Sequence, residues 1–362
     1  MSETIANSTP VRVLVADDSA FMRTALTRMI ESDPGLRVVA TALNGQEALD
    51  KIRLLQPDVV TLDVEMPGLN GLETLRRIMQ DFPRPVIMVS SLTQQGAETT
   101  LEALDLGAFD YLPKQQSLVS LDIIKIREDL VAKVRAAAQT GRKRRVGGAG
   151  QEVRSHGLSM PRSSPSVPAS VVALGTSTGG PKALQQILPM LPADLPVGVL
   201  IVQHMPPGFT GPFARRLNNI CKISVVEAEE GNAVTPGVVY IAPAGQHMTV
   251  QRTSPTQVTV HLSQSPQDSL HRPSVDVLML SVAETYRSLS MGIILTGMGA
   301  DGVQGMQAIA RQGGLTVGQD ESSCIVYGMP RSCAEAGVLQ RVVSLVQIPE
   351  QILQATRYRR RA

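Results

Sequence analysis

Short apolar runs alternate with stretches of helical period through two long portions of the chain, and a segment with neither pattern separates them. In the first portion Val11–Ala16 reads as a buried strand. Ser19 then suits the cap of a helix whose apolar positions Phe21/Met22, Ala25/Leu26 and Met29/Ile30 recur at helical spacing. Strand and helix patterns continue through Leu36–Ala42, Gly45–Leu55, Asp58–Val64, Leu72–Phe82, Val86–Ser91, Glu98–Leu106, Ala108–Leu112 and Val119–Ala138. Strands that are apolar throughout and separated by helices are buried on both faces. They predict five βα units in a doubly wound parallel sheet.

The second portion alternates in the same way. Val171–Leu174, Val197–Val202, Ser224–Ala228, Val238–Ile241, Gly292–Leu295, Leu315–Val317 and Val338–Val343 are the strand candidates. Helices are expected at Lys182–Leu191, Phe209–Ile220, Val275–Arg287, Val303–Gln312, Gly328–Glu335 and Pro349–Arg360. Met248–Arg252 and Gln257–Leu262 read as an inserted hairpin. Between the two portions, Thr140–Pro168 is rich in Gly, Ser, Arg and Pro, which predicts a flexible linker. Its run Arg142-Lys-Arg-Arg145 is taken as solvated.

Composition narrows the classes. A chain of 362 residues with 43% hydrophobic residues can bury two ordinary cores. There is no apolar run of the roughly 18 residues needed to span a membrane, and the N-terminus lacks a signal-peptide pattern, so a cytoplasmic protein without membrane insertion is expected. The three cysteines form no Cys-x-x-Cys pair and indicate neither zinc nor disulfides. A formal charge of +2 with 3% aromatics gives no reason to expect nucleic acid as a partner.

Polar residues close the predicted strands of the first portion: Asp17 and Asp18 the first, Asp63 the third, Ser90 the fourth and Lys114 the fifth. Converging carboxylates repel unless a cation sits among them, and such oxygen ligands suit Mg²⁺. Lys114 and Ser90 can then hold an anion, of which an aspartyl phosphate on Asp63 is one. The motifs Ala16-Asp-Asp-Ser19, Pro57-Asp-Val-Val-Thr-Leu-Asp-Val-Glu-Met-Pro67, Met88-Val-Ser90 and Gly107-Ala-Phe-Asp-Tyr-Leu-Pro-Lys114 resemble the receiver domain of two-component response regulators. The resemblance implies a flavodoxin-like fold over 11–138 and phosphorylation of Asp63 by a histidine kinase. It also implies Mg²⁺ on Asp17, Asp18, Asp63 and the Glu65 carbonyl, phosphoryl contacts from Ser90 and Lys114, and Tyr111 as the switching aromatic. Gln115 stands where receivers commonly have proline.

In the second portion three strand ends carry the chemistry. The first breaks at Gly175 and leads through Thr-Ser-Thr-Gly-Gly to Pro181, which suits the first turn of a helix. Ser177 in this turn is a candidate nucleophile, against which a phosphate-binding turn or a plain tight connection weighs at least equally at this point. The second ends at Gln203-His204 and the third at Thr296-Gly-Met-Gly-Ala-Asp301-Gly302. In a parallel sheet these ends share one edge, so a serine, the imidazole that takes its proton and the carboxylate that orients it can meet. The order Ser, His, Asp is wrong for an α/β-hydrolase. Gly297-Met-Gly-Ala-Asp-Gly302 also fits a dinucleotide turn, with Asp320 near the spacing of a ribose-binding acid, although Asp301 would set a negative charge at the phosphates.

Gly175-Thr-Ser-Thr-Gly-Gly-Pro181, Gln203-His-Met-Pro-Pro-Gly-Phe-Thr210, His271-Arg-Pro-Ser-Val-Asp276, Leu295-Thr-Gly-Met-Gly-Ala-Asp-Gly302 and Val326-Tyr-Gly-Met-Pro330 together resemble the chemotaxis response-regulator protein-glutamate methylesterases. The resemblance implies a receiver at 11–138 and a catalytic domain at 169–362, the latter a doubly wound, mostly parallel α/β domain with a β-hairpin insertion; the basic linker expected at 139–168 has no counterpart in it. It implies hydrolysis of glutamate γ-methyl esters, and deamidation of glutamines, on the cytoplasmic helices of methyl-accepting chemoreceptors. Ser177 would be the nucleophile, His204 the base, Asp301 the orienting acid, Met298 the oxyanion donor through its N–H and Thr178 a supporting hydroxyl, with no cofactor in this domain. Phosphorylation of Asp63 is expected to relieve inhibition by the receiver. The competing expectation is a response regulator whose second domain only binds nucleic acid or a dinucleotide.

Overall fold

The computed structural model describes residues 9–114, 120–146 and 167–359. The chain divides into two compact units between Ser155 and His156.

The first unit runs β1 (Val11–Ala16), α1 (Ala20–Glu31), β2 (Leu36–Ala42), α2 (Gly45–Leu55), β3 (Val59–Asp63), α3 (Gly71–Asp81), β4 (Val86–Ser91), α4 (Gln94–Asp105), β5 (Asp110–Lys114) and α5 (Ser120–Val146). Its sheet has the order β2-β1-β3-β4-β5, parallel throughout. The order reverses beside β1, which places the carboxyl ends of β1 and β3 at the crevice where α/β sheets bind ligands. Helices α1 to α4 each begin on a side-chain cap, Ser19, Asn44, Asn70 and Thr93 in turn. Each such cap satisfies an orphan N–H and is worth roughly 1 kcal/mol. These caps fix where the strand-end loops stop, and so where their carboxylates sit.

Helix α5 departs from expectation. Residues 139–146, expected to open the flexible linker, instead prolong the helix to Val146. Gly141 costs a helix only about 1 kcal/mol and no proline intervenes, while Arg and Lys are good helix formers. Gly141 also packs under Pro85, whose ring an added Cβ would meet at 3.2 Å. The side chains of Arg142–Arg145 and residues 147–166 lie outside the described residues.

The second unit contains β6 (Val171–Thr176), α6 (Gly180–Ile187), β7 (Gly198–Gln203), α7 (Thr210–Ile220), β8 (Ser224–Glu227), β9 (Val238–Ile241), β10 (His247–Ser254), β11 (Gln257–Ser263), α8 (Val275–Tyr286), β12 (Ser290–Ile294), α9 (Val303–Arg311), β13 (Leu315–Gln319), α10 (Met329–Glu335), β14 (Arg341–Val343) and α11 (Ile348–Ala355). Seven strands form a parallel sheet in the order β14-β13-β12-β6-β7-β9-β8. The antiparallel hairpin β10–β11 is separate, and its Met248, Val250, Val258 and Val260 join Leu278, Met279 and Val282 of α8 in the core. The first strand, β6, is central, with β7 on one side and β12 on the other. Chain direction diverges there, so the carboxyl ends of β12, β6 and β7 form the crevice.

Several boundaries differ from the sequence reading, and two of the shifts have a visible cause. The strand expected over Val338–Val343 begins only at Arg341, because the Val338 N–H is taken by the Cys333 carbonyl in closing α10. The helix expected to Arg360 ends at Ala355, where Arg357 enters the left-handed region at φ 51°.

Candidate active site

Strands β6 and β7 are in register with Thr176 opposite Gln203, so the next residues, Ser177 and His204, emerge side by side. The His204 N–H donates to the Thr176 carbonyl at 3.1 Å. The Gln203 amide donates to both the Ser177 carbonyl (3.1 Å) and the His204 carbonyl (3.0 Å), tying the two strand ends together. This requires a close approach of backbone: a Cβ on Gly180 would run into the Gln203 amide oxygen, and Gly179 carries φ +80°. The glycines after Ser177 therefore serve the turn itself.

Asp301 arrives from the loop after β12. His204 Nε2 lies 2.8 Å from Asp301 Oδ2, and both side chains are about nine-tenths buried, at 9% and 10% exposure. The carboxylate also accepts from Ser274 Oγ (2.8 Å), the Val275 N–H (2.7 Å) and the Asp276 N–H (3.0 Å). These last donors are the N-terminus of α8, where the helix dipole favours an anion. Burial opposes the Asp301 charge, yet His204 and the helix N–H groups hold its carboxyl far below the usual carboxylate range. It stays ionised. His204 Nδ1 is buried and has no hydrogen-bond partner.

The loop that supplies Ser274 is itself anchored. His247 is fully buried, with Nε2 3.1 Å from the Pro266 carbonyl and Nδ1 accepting the Ser274 N–H at 3.3 Å. Both bonds form only in the neutral Nε2–H tautomer. Burial, with the nearby Arg272 charge, shifts His247 below the ordinary histidine value and so favours that form. His271 of the same loop stacks on His204, with ring centroids 4.0 Å apart. Asp276 caps the next helix by accepting the Gly305 N–H at 2.8 Å, which joins α8 to α9 beneath Asp301.

The peptide linking Gly297 to Met298 is fixed by α10. Its carbonyl accepts from the N–H groups of Gly328 (3.0 Å) and Met329 (2.9 Å). In a trans peptide the N–H points opposite to the C=O, so the Met298 N–H is aimed away from α10. Gly297 packs on Ser177: a Cβ there would lie 2.9 Å from the Ser177 Cβ. Thr178 is buried, and its carbonyl accepts from Thr296 Oγ1 at 2.9 Å. Asp320, the ribose acid of the competing dinucleotide reading, is engaged within its own loop, accepting the N–H and hydroxyl of Ser323 at Oδ1 and the Ser322 hydroxyl at Oδ2.

In the first unit, carboxylate oxygens of Asp17, Asp18 and Asp63 lie within 4.8 Å of one another. Lys114 Nζ sits 2.6 Å from Asp63 Oδ2 and 3.1 Å from Asp17 Oδ2. Burial, with the Asp17 charge adding to it, pushes Asp63 up to about 6 against the pull of Lys114. Burial also opposes the Lys114 charge, but the two carboxylates hold it above the usual lysine value. One ammonium among three carboxylates leaves the cluster short of positive charge, and the buried Asp17 Oδ2 has no partner beyond the ion pair it shares with Lys114. A divalent cation with oxygen ligands fits this donor set. The Glu65 N–H donates to Asp63 Oδ1 at 3.2 Å, so its loop borders the same cluster. Ser90 is fully buried with Oγ 3.2 Å from the Gly96 carbonyl. Tyr111 is 4% exposed, and Lys133 of α5 holds its carbonyl at 2.7 Å. Gln115 lies outside the described residues.

Sequence reasoning found the strand-end triad candidates but gave no part to Gln203, His247, His271, Ser274 or Gly328. Four of these stand in or beside the quoted motifs, which is the signal that was available; His247 had none.

The family model of the CheB methylesterase matches residues 172–352, and that of the response regulator receiver domain matches residues 13–124. The chain is 47% identical over 370 residues to a protein-glutamate methylesterase/protein-glutamine glutaminase 1 of Oleidesulfovibrio alaskensis, covering 95% of this chain and 99% of that one. It is 44% identical over 350 residues to a protein-glutamate methylesterase/protein-glutamine glutaminase of Pyrococcus abyssi, covering 95% and 93%. Among solved structures, the CheB methylesterase catalytic domain of Thermotoga maritima is similar at 40% identity and TM-score 0.50, covering 52% of this chain and 99% of that one. No helix among the described residues is long and apolar enough to cross a membrane.

Proposed function

The chain belongs to the CheB methylesterase family, as a protein-glutamate methylesterase/protein-glutamine glutaminase with a response-regulator receiver domain, and from that premise we propose how its residues carry the reaction. Ser177 Oγ attacks the γ-carbonyl carbon of a chemoreceptor glutamate methyl ester, and His204 Nδ1 takes its proton. The Met298 N–H receives the charge that develops on the carbonyl oxygen. Collapse breaks the ester C–O bond, and His204 returns the proton to the leaving oxygen, so methanol departs and an acyl-serine remains. Water, activated by the same imidazole, then attacks the acyl carbon and regenerates Ser177 with the free glutamate. A glutamine follows the same course with ammonia as the leaving group. Thr178 supports the turn that presents Ser177.

The observation that carries this is the His204 ring: Nε2 on an ionised, fully bonded Asp301, and Nδ1 buried with no partner, Ser177 Oγ included, on a strand end in register with the one that bears Ser177. Compared with the chymotrypsin template, in which the acid bonds Nδ1, the two ring nitrogens exchange roles. The Gly297–Met298 peptide gives a separate test. Gly328 has an ordinary φ of −107°, so alanine there meets no backbone strain, but its Cβ would come within 2.6 Å of the Gly297 carbonyl and 3.1 Å of Met298 Cα. Gly328→Ala is expected to lower kcat toward the about 10²- to 10³-fold loss of a missing oxyanion donor, with KM little changed. Equal activity of this variant in steady-state methanol release would remove Met298 from the mechanism.

The receiver's Asp17, Asp18 and Asp63 carboxylates and the Glu65 carbonyl would hold Mg²⁺, which when bound offsets the negative charge gathered around Asp63. A chemotaxis histidine kinase supplies the phosphoryl group to Asp63, Ser90 and Lys114 contact it, and Tyr111 changes rotamer with them. Phosphorylation adds roughly 1.5 to 2 negative charges and relieves the inhibition that the receiver exerts on the catalytic unit, all in the cytoplasm. A coupling of this kind is typically worth about 5- to 150-fold. With a small-molecule phosphodonor, wild-type methanol release should rise within that range while Asp63→Asn stays flat; a variant that still responds would move the phosphorylation site elsewhere.

A further inference from the structure

We propose that His271 is a positioning residue for the reaction, holding the plane of the His204 ring by stacking where no hydrogen bond is available to do so. The inference rests on the serine–histidine–aspartate reading above. A single hydrogen bond, Nε2 to Asp301 Oδ2 at 2.8 Å, together with the covalent attachment at Cβ still lets the imidazole plane rock about the Cβ–Cγ bond. Most structural histidines are fixed by engaging the second nitrogen, as His247 is through Pro266 and Ser274. His204 cannot be held in that way, because Nδ1 must remain open to take the serine proton, and it is indeed buried without a partner. A flat face laid against the ring supplies the missing constraint without occupying a nitrogen. His271 provides it, with centroids 4.0 Å apart and planes 18° from parallel.

The loop that carries His271 is built to present a rigid face. The His271 carbonyl accepts from Ser269 Oγ at 2.9 Å, the next carbonyl, of Arg272, accepts from the Gly245 N–H at 3.1 Å, and the Ser274 N–H is held by His247. Ser274 in turn bonds Asp301. One short segment therefore fixes both the acid, through hydrogen bonds, and the imidazole, through a stack. Misplacement of a reacting group by about 1 Å can cost about 10²-fold in rate, so loss of the stack should be read chiefly in kcat.

The test compares His271→Phe, which keeps a planar face, with His271→Leu and His271→Ala, which do not. The assay is methanol release from methyl-labelled chemoreceptor membranes by the full-length phosphorylated chain, alongside thermal melting. His271→Phe should retain kcat within about threefold, and the other two should lose about 10- to 100-fold with KM little changed and melting temperatures close to wild type. If Phe is as defective as Ala, His271 acts through a nitrogen and the stacking role is overturned. If Leu or Ala keeps full kcat, the face is not needed and the proposal fails. His204→Ala is the companion measurement. Its full activity would sink the triad itself, whereas an inactive His204→Ala beside a fully active His271→Ala sinks only the stack.

Discussion

Alanine at Ser177 is expected to reduce methanol release from methylated chemoreceptors by about 10⁴- to 10⁶-fold, the scale on which serine hydrolases lose activity without their nucleophile. The variant is informative because so little else changes. Gly297 packs on the Ser177 Cβ, which alanine keeps, and the Ser177 carbonyl that binds Gln203 and the Gly180 N–H is backbone. The turn, the Met298 peptide and the His204–Asp301 pair all survive the substitution. Receptor binding should be nearly intact, so that the variant slows wild-type enzyme by competition. A phosphate-binding turn, the other use of such a glycine-rich connection, would leave hydrolysis untouched. Turnover of labelled receptor membranes by Ser177→Ala at more than about a hundredth of the wild-type rate would remove the serine from the chemistry.

Much of this site was legible because topology does the work that distance cannot. Ser177 and His204 follow apolar strands, and Asp301 lies in the loop after another. Strands buried on both faces of a parallel sheet must end on one edge. The receiver carboxylates were legible for the same reason. Where prediction slipped, an apolar residue was spent on something other than a strand: Val338 looks like the start of β14 but closes α10. The helix α5 ran on through Gly141 because a glycine is a weak breaker against Pro85 packing and strong flanking helix formers. The supporting residues stood mostly in or beside the motifs, but their roles were not legible. Gly328 matters through where its Cβ would fall against a peptide some thirty positions away, and His271 through the face of another ring. Periodicity carries neither. Nor does it say which imidazole nitrogen meets the acid.

Asparagine at Asp301 should cost about 10⁴-fold in kcat while the fold persists, and the cause is a tautomer. The carboxylate receives donors on every side: His204 Nε2, Ser274 Oγ and the N–H groups of Val275 and Asp276. An asparagine has one acceptor oxygen. Ser274 Oγ already accepts the Val277 N–H at 3.4 Å and so donates toward the Oδ1 position, where the Asp276 N–H also points, and the amide oxygen is expected to turn there. The amide NH₂ is then left in the Oδ2 position against His204 Nε2, which now has to accept. The neutral imidazole that accepts at Nε2 carries its proton on Nδ1, the nitrogen that is to receive the serine proton. Base and nucleophile would then both present hydrogens. The NH₂ group also meets the Val275 N–H, so the α8 N-terminus loses a bond and some stability, measurable as a lower melting temperature. Asp301→Glu separates the two effects, since it keeps the anion and the Nε2–H tautomer but displaces the ring; it should retain more activity than Asn. The tautomer itself is read by nitrogen chemical shifts of the His204 ring, expected to carry its proton on Nε2 in the wild type and on Nδ1 in Asp301→Asn. A ring protonated on Nε2 in both proteins, with activity lost only in the variant, would mean that Asp301 acts through its charge and not by setting the tautomer.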